Sequence, residues 1–248
     1  MPHGTLYLIP TPLGDSALDS ILPPAVRDIA AQLDTFIVEH PKTARAFLKQ
    51  IATHTPMQQL NLLVLDEHTP TSELQALLEP LRCGKNVGLI SEAGCPAVAD
   101  PGSNLVRLAH QQGIRVIPLV GPSSILLSLM ASGLSGQRFT FHGYLPVDKI
   151  ERKNKLLALE LASSTQDETQ IFIETPYRNR QMLEAITTTC SDATSVCVAT
   201  DVTLVTEMIV TKTVDEWKNR LPDIDKRPTV FLLHVAHSTK KSKDPRPR

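Results

Sequence analysis

Apolar residues in the first half of the chain form short continuous runs that alternate with helical stripes. The runs occupy residues 5–10, 35–38, 60–66, 86–91 and 115–120. Between them, apolar side chains recur three, four and seven residues apart, at Ala44, Phe47, Leu48 and Ile51 and again at Leu74, Leu77, Leu78 and Leu81. Short runs rich in Val, Ile and Leu are typical of strands covered on both faces. Their alternation with helices predicts an α/β fold with a mostly parallel sheet.

The second half of the chain has a different pattern, with more strands and fewer helices. It predicts strands at residues 139–145, 170–174, 195–202, 207–214 and 229–234, and helices at residues 152–162, from Pro176 onward and at residues 215–221. Only a brief polar break separates the third and fourth of these strands, so we expect them to pair antiparallel. The sequence therefore predicts an N-terminal α/β domain at residues 1–135 and a C-terminal α/β domain with a mixed sheet at residues 136–238.

Composition and charge exclude several classes of protein. The chain has 248 residues, of which 42% are hydrophobic and 21% charged, as in ordinary globular domains. Its 25 Lys and Arg nearly balance its 26 Asp and Glu, so the whole chain is not a general polyanion binder. Basic residues concentrate in a tail at residues 239–248, which we expect to be disordered. Any nucleic-acid contact must then be local.

Cysteine spacing and hydropathy indicate a reduced, cytoplasmic protein. The four cysteines, Cys83, Cys95, Cys190 and Cys197, show no CxxC spacing, so we expect neither disulfides nor a metal site. The N-terminus lacks the pattern of a signal peptide. Residues 116–137 carry no charge, but prolines, glycines and serines divide them into a strand, a turn and a helix, which argues against a membrane span.

Three loops follow predicted strands of the first half and are candidates for ligand binding. They span residues 10–15, 91–102 and 121–124. Open α/β sheets bind ligands at the carboxyl ends of their strands. Helix capping by Asp15, Ser16 or Ser123 is the alternative for the first and third loops. The second loop, with two glycines, two prolines, Glu92 and Asp100, is longer than a simple connection requires.

Common catalytic motifs are absent from the sequence. It contains no G-x-G-x-x-G, no G-x-x-x-x-G-K-[ST], no H-E-x-x-H and no G-x-S-x-G. Nicotinamide, Walker-type, zincin and serine-hydrolase chemistry are therefore disfavoured. His234 and His237 lie three residues apart but have no further ligand at metal-binding spacing, so no metal site is expected.

Six ordered segments resemble the tetrapyrrole methylase superfamily of S-adenosylmethionine-dependent methyltransferases, and within it the ribosomal RNA small subunit methyltransferase I branch. The segments are LYLIPTPLGD (6–15), GLISEAGCPAVADPG (88–102), GIRVIPLVGPSS (113–124), ASGL (131–134), RFTFHGYLP (138–146) and IFIETPYR (171–178). The resemblance implies a two-domain tetrapyrrole-methylase-like fold, a homodimer, and S-adenosylmethionine bound between the domains. It implies cofactor contacts at Pro12, Leu13, Gly14, Gly94, Asp100, Pro101, Gly102, Ser123, Ser124, Glu174, Ala199, Thr200, Pro228 and Thr229.

The sequence departs from this branch at three places. The acidic-Asp-Thr-Arg-His-Thr stretch of the family is replaced by Glu39-His40-Pro41-Lys42-Thr43-Ala44-Arg45. Ser-Asp-Ala-Gly-Thr-Pro becomes residues 91–96, with Glu92 and Cys95 substituted, and a Gly-Glu pair is replaced by Arg227-Pro228. Because these changes border the side expected to take the methyl acceptor, we expect an intact cofactor site in a divergent branch.

Methyl transfer to a hydroxyl requires a group that accepts its proton. Glu92 and Glu39 are the candidates that we favour, with His40 and Asp66 as further possibilities at predicted strand ends. The main hypothesis is 2'-O-methylation of a ribose in small-subunit ribosomal RNA, with phosphate contacts from Lys149, Arg152, Lys153, Lys155 and the tail. A tetrapyrrole or other small-molecule acceptor, or a cofactor-binding protein without turnover, are the alternatives.

Overall fold

The computed structural model describes residues 2–236, and the chain forms two compact units that divide between Ser124 and Ile125. The sequence predicts a division at residues 135/136. The structure groups the helix Ser124–Ser132, apart from its first residue, with the second unit. The predicted basic tail and His237 lie outside the described residues.

The first unit is built on a five-stranded parallel sheet. Its strands are β1 (Thr5–Ile9), β2 (Thr35–Val38), β3 (Asn61–Val64), β4 (Val87–Ile90) and β5 (Arg115–Pro118), in the order β3-β2-β4-β1-β5. Its helices are α1 (Leu18–Ile21), α2 (Pro24–Gln32), α3 (Pro41–Ile51), α4 (Leu74–Leu77), α5 (Glu79–Arg82) and α6 (Ser103–Gln111). The predicted parallel sheet is confirmed.

Burial in this unit follows the apolar pattern of the sequence. The inner strands β2 and β4 are buried at every position, whereas β3 and β5 form the edges and are partly exposed. The predicted stripe of α3 is buried against the sheet. The stripe predicted at residues 74–81 belongs to two short helices, α4 and α5, because Pro80 is suited to the first turn of a new helix. Helix α2 was not predicted.

Chain connections in this sheet change direction between β1 and β4. From β1 the chain continues through α2 to β2 on one side, whereas from β4 it continues through α6 to β5 on the other side. Since β1 and β4 are parallel neighbours, their carboxyl ends border a crevice at a topological switch point. Such a crevice is where open α/β sheets bind ligands.

The second unit contains α7 (Ser124–Ser132) and a mixed five-stranded sheet. Its other elements are β6 (Phe139–Tyr144), α8 (Lys149–Gln166), β7 (Thr169–Glu174), α9 (Asn179–Thr189), β8 (Ser195–Thr200), β9 (Met208–Thr213), α10 (Val214–Asn219) and β10 (Thr229–His234). The strand order is β6-β7-β10-β8-β9, in which β6 and β7 are parallel and the remaining pairs are antiparallel. The predicted mixed sheet and the antiparallel β8–β9 pair are confirmed.

The core of the second unit is anchored by aromatic side chains. Phe172 on β7 stacks on Phe231 of β10, with ring centroids 5.7 Å apart. Trp217 on α10 is 3% exposed and its Nε1 donates to the carbonyl of Val196 over 2.9 Å, so its polar atom is satisfied within the core.

Within residues 2–236, no helix is both long and apolar enough to cross a membrane.

Candidate active site

The loops that follow β1 and β4 are joined directly to each other at the switch point. Thr11 N donates to Gly94 O over 3.0 Å, and Gly94 N donates to Thr11 O over 3.1 Å. The Thr11 hydroxyl adds a second link between the loops, because it donates to Ser91 O over 3.2 Å. The structure therefore brings together two segments that the sequence predicts to contact the cofactor, Pro12–Gly14 and Gly94.

The loop that follows β5 is packed against both of the others. A Cβ on Gly121 would lie 2.4 Å from Pro10 Cβ, so glycine permits the close approach of the third loop to the first. Cys95 Sγ donates to Pro122 O over 3.4 Å and ties the second loop to the third. Ser123 follows this contact, and Ser124 is the first residue of α7. All three predicted loops thus meet.

Gly94 occupies the tightest position in this arrangement. Its φ is +78°, and a Cβ there would lie 3.1 Å from Leu13 Cδ2 and 3.5 Å from Pro122 O. A side chain at this position would be strained by the backbone conformation and would crowd both neighbouring loops. Glycine is therefore required at this position for the three loops to pack this closely.

A cavity of about 250 Å³ lies beside the crevice, within the first unit. One wall is the loop at residues 11–16 and another is the end of β4 with residues 91–93. The third wall is helix α3, which contributes Thr43, Ala44, Ala46, Phe47 and Gln50. The sequence reasoning missed this cavity, because it did not assign α3 a role in binding.

Three carboxylates gather where β2 and β4 end. Asp100 makes a side-chain hydrogen bond with Glu39 and also lies within electrostatic reach of Glu92. Burial, followed by the negative charge of Glu39, raises the pKa of Asp100 to about 7. Asp100 therefore exchanges its proton near neutral pH, a property that the sequence did not reveal because Glu39 and Asp100 are 61 positions apart.

Glu92, the favoured proton acceptor, is held by residues at the start of α3. Its Oε1 accepts a hydrogen bond from Thr43 Oγ1 over 2.7 Å and lies 3.6 Å from His40 Nδ1. About one third of its side chain remains exposed, 34%. Glu92 also lines the cavity beside α3, so it connects the carboxylate group to that space.

Asp66, another carboxylate considered from the sequence, forms hydrogen bonds within the turn that follows it. Its Oδ1 accepts from Thr69 Oγ1 and from His68 N, each over 2.9 Å. The Thr69 hydroxyl is the main reason that the pKa of Asp66 is lowered. These bonds keep Asp66 ionised and occupy one carboxylate oxygen in a local turn, which is a structural role.

In the second unit, three of the predicted cofactor residues stand side by side on neighbouring strands. Thr229 on β10 is in register with Glu174 on β7 and with Thr200 on β8. The Thr200 and Thr229 hydroxyls are 3.1 Å apart, and Asn179 Nδ2 donates to Thr229 Oγ1 over 3.2 Å. Ala199 and Pro228 adjoin this row along the same strands.

Glu174 is a buried ion-pair partner. Its side chain is fully buried, and Oε1 accepts from Arg178 Nε over 3.0 Å and from Thr175 N over 2.7 Å. Among the described residues, its Oε2 has no hydrogen-bond partner. The sequence reasoning missed Arg178, although its separation of four residues from Glu174 was a signal.

The departure at Arg227-Pro228 also has a structural explanation. Arg227 Nε donates to Asp201 Oδ2 over 2.8 Å, and its Nη1 donates to Asp223 O over 2.9 Å. The guanidinium thereby ties the segment before β10 to the turn that follows β8. Arg227 stabilises this edge of the sheet, and the sequence did not show its partners.

The residues of α8 that the sequence predicts to contact phosphates differ in their exposure. Lys149 and Lys153 of α8 are exposed. Arg152 is only 5% exposed and its Nη1 donates to the carbonyl of Val147 over 3.1 Å, so the prediction of a free phosphate contact is wrong for Arg152. No cluster of three or more His, Cys, Asp or Glu residues suited to a metal ion occurs in the part of the chain that the structure describes.

Three curated relatives cover most of the chain. Ribosomal RNA small subunit methyltransferase I of Vibrio cholerae is 30% identical over 239 residues, which are 96% of this chain and 79% of that protein. The Haemophilus influenzae protein of that name is 31% identical and covers 93% of this chain and 78% of its own length. The Bacillus subtilis protein is 32% identical, with 87% of this chain and 70% of its own length covered. No protein-family model matches the chain.

Solved structures show the same fold at lower identity. The methyltransferase CobJ superposes with a TM-score of 0.63 at 19% identity, covering 94% of this chain and 95% of its own. Cobalt precorrin-4 methyltransferase CbiF gives a TM-score of 0.58 at 18% identity and covers 93% of this chain and 94% of its own. These neighbours confirm the predicted tetrapyrrole-methylase-like fold. With the relatives above, they show that the chain is a methyltransferase and belongs to the ribosomal RNA small subunit methyltransferase I family.

Proposed function

We propose that this protein transfers a methyl group from S-adenosylmethionine to a ribose 2'-hydroxyl of small-subunit ribosomal RNA. The meeting of the three loops at the β1–β4 crevice is the observation that carries the proposal. Relatives at 30% to 32% identity that span most of the chain are named for this RNA. A ribosomal substrate implies a cytoplasmic protein.

The residues of the first unit fit the methyl donor at this crevice. Gly94 and Gly121 allow the three loops to pack closely together, where side chains would crowd them. Pro12, Leu13 and Gly14 follow this contact in the first loop and also line the cavity beside α3, whereas Asp100, Pro101 and Gly102 form the far end of the second loop. When bound, S-adenosylmethionine supplies an electrophilic methyl group for in-line displacement. The protein's main task is then to hold the acceptor oxygen in line with that methyl group and to exclude water.

The buried residues Glu174, Thr200 and Thr229 of the second unit could bind a ligand group that donates a hydrogen bond. Glu174 Oε2 is a buried carboxylate oxygen without a partner among the described residues. A bound amino or hydroxyl group would satisfy it, which supports the predicted contacts at Glu174, Thr200 and Thr229. Ala199 and Pro228 would then supply backbone and van der Waals contacts.

Proton transfer falls to the carboxylates at the ends of β2 and β4. A hydroxyl that accepts the methyl group would lose its proton, and a nearby carboxylate would have to take it. Glu92 is exposed enough to receive this proton at a carboxylate oxygen. Asp100 interacts with both Glu39 and Glu92, and its raised pKa of about 7 allows this group of carboxylates to hold a proton near neutral pH.

A small-molecule acceptor is the second candidate. One structural neighbour, CbiF, is named as a cobalamin biosynthetic enzyme, but its 18% identity supports only the fold. Aromatic residues make up 4% of the chain, which is sparse for a pocket that holds a large flat ring.

Exposed apolar side chains on α8 support a homodimer. Ile150, Leu157 and Leu161 lie seven and four residues apart on one helix face and are 72%, 43% and 64% exposed. Exposed apolar residues grouped in this way mark interaction surfaces. Light scattering of the full chain should give twice the monomer mass, and Leu161→Lys should lower it; a wild-type monomer would contradict this part of the proposal.

The proposal is tested by transfer of a labelled methyl group to small ribosomal subunits from cells that lack the gene. Label in ribose of the RNA with wild-type protein, and none with Gly94→Arg, is the expected result. Calorimetry of S-adenosylmethionine binding accompanies both proteins. Binding without label in RNA would contradict the ribosomal substrate and favour a small-molecule acceptor or a protein without turnover.

A further inference from the structure

Helix α3 carries two adjacent stripes of different chemistry. One stripe, formed by Thr43, Ala46 and Gln50, faces the cavity of about 250 Å³. The other, formed by Lys42, Arg45 and Lys49, is exposed and repeats at the same spacing of three and four residues. The two stripes therefore run side by side along the helix.

The cationic stripe is uncompensated. Helix α3 contains three basic residues and no acidic one. In the part of the chain that the structure describes, no ion pair includes Lys42, Arg45 or Lys49. Exposed lysine and arginine side chains without acidic partners are suited to phosphate groups.

The cavity has an apolar floor and a polar rim. Phe47, Leu13 and Ile90 supply apolar surface, whereas Thr43, Gln50 and Glu92 supply hydrogen-bonding groups. A volume of about 250 Å³ falls below the roughly 300–1,000 Å³ of pockets that enclose drug-sized ligands. The cavity is therefore sized for one base or nucleoside rather than for the whole methyl donor.

On these grounds we propose that the cavity beside α3 receives an unpaired nucleobase of the RNA acceptor, while Lys42, Arg45 and Lys49 bind the adjoining phosphates. Proteins that read single-stranded RNA use an aromatic or apolar surface for an unstacked base and polar groups for its edge. S-adenosylmethionine has no phosphate and a positively charged sulfonium, so it does not complement the cationic stripe. This inference rests on the proposed function.

Position within the unit supports the same assignment. Glu92 lines the cavity and also belongs to the carboxylate group that we propose to accept the proton. A nucleotide whose base occupies the cavity would thus bring its ribose close to Glu92. The segment that departs from the family pattern, residues 39–45, begins this helix and supplies two of its three cations.

The cavity is tested by filling it. Ala46→Phe adds a ring at an exposed helical alanine that lines the cavity, and Ala76→Phe makes the same change at an exposed alanine of α4 in the same unit. With small ribosomal subunits as substrate, Ala46→Phe should raise KM at least tenfold and leave the Kd for S-adenosylmethionine within twofold. Ala76→Phe should change neither more than twofold.

Two outcomes of that experiment would overturn the assignment. Wild-type KM in Ala46→Phe would show that no base enters the cavity. A tenfold loss of S-adenosylmethionine affinity would show that the methyl donor occupies it. Absence of RNA methylation by the wild-type protein is a different result, because it contradicts the proposed function itself.

The cationic stripe is tested by the salt dependence of RNA binding in a filter assay. The variant Lys42→Gln/Arg45→Gln/Lys49→Gln should reduce the slope of log K against log salt by about 2, since each contact to a single strand contributes about 0.7. The matched variant Lys85→Gln/Arg107→Gln/Arg115→Gln, at three exposed basic positions of the same unit outside α3, should leave the slope near that of the wild type. The reverse pattern, or no change with the α3 variant, would overturn this part of the proposal.

Discussion

The two units each contain a five-stranded sheet, but the carboxylates at the edges of the two sheets have different neighbours. At the carboxyl edge of the first sheet, Glu39, Glu92 and Asp100 lie together, and the only basic side chain within 4 Å of Glu92 among the described residues is His40. At the corresponding edge of the second sheet, Glu174 is paired with Arg178 and Asp201 with Arg227. At these two edges, the carboxylates of the first unit thus lie beside one another, whereas those of the second unit lie beside arginines.

This difference indicates that the carboxylates of the first unit take part in the reaction, whereas those of the second unit stabilise the fold. Burial and the neighbouring carboxylates raise the pKa of Asp100 to about 7, which suits proton transfer. Carboxylates that accept hydrogen bonds from arginine fix the strand ends in place. We therefore expect mutations in the first unit to affect methyl transfer, and mutations of the ion pairs in the second unit to affect stability.

Substitution of Gly94 should have the largest effect. Gly94→Val should reduce methyl transfer at least 100-fold, because a side chain would crowd Leu13 and Pro122 in the crevice. Gly113→Val is the matched control, since Gly113 also has a positive φ, +68°, but a Cβ there meets nothing within 4 Å. Equal losses in the two variants, measured by labelled methyl transfer, would attribute the effect to backbone strain alone.

Removal of Arg178 should have the next largest effect, on stability. Arg178→Met leaves Glu174 buried without its cation, which costs about 3 kcal/mol of the free energy of unfolding. Arg180→Met removes an exposed pair with Glu184 and should cost less than about 1 kcal/mol. Urea unfolding of the full chain measures both; a loss no larger for Arg178 than for Arg180 would contradict the supporting role.

Asp100 should make stability depend on pH. Its folded-state pKa is raised from 3.8 to about 7, so the folded chain binds more protons than the unfolded chain between these values, and stability falls as pH rises through that range. Asp100→Asn removes the repulsion with Glu39 and Glu92. With allowance for partial exposure, it should raise the free energy of unfolding at pH 8 by about 1 kcal/mol and leave it unchanged near pH 4. Parallel pH profiles of the two proteins would contradict the coupling.

The bond from Thr43 to Glu92 should have the smallest effect. Thr43→Val removes one hydrogen bond to an exposed carboxylate and should lower kcat/KM about two- to tenfold, as expected for a bond worth about 0.5–1.5 kcal/mol. Thr165→Val, at an exposed helical threonine of the second unit, is the control and should have no effect on kcat/KM. Unchanged kcat/KM in Thr43→Val would remove this contact from the catalytic arrangement.

Local pattern predicted the strands and the loops better than it predicted the pairing of side chains. Residues 35–38, for example, form a strand that is buried at every position. A short run of mostly apolar residues predicts such a strand from the local sequence alone. Helix α2 was missed because only Val26, Ala30 and Ala31 of its nine residues are buried, which is a weak stripe. The partners Glu39 and Asp100, or Asp201 and Arg227, are distant in sequence and meet only through the folded sheets. The cavity beside α3 was missed for the same reason.

Photo-crosslinking tests the central claim, that the joined loops of the first unit bind the methyl donor, most directly. S-adenosylmethionine with a labelled methyl group is irradiated with the full chain, and the labelled peptides are identified by mass spectrometry. The account predicts label in peptides that contain residues 10–16, 91–102 or 121–124, and loss of that label in Gly94→Arg. Specific label confined to other peptides, and unaffected by Gly94→Arg, would contradict it.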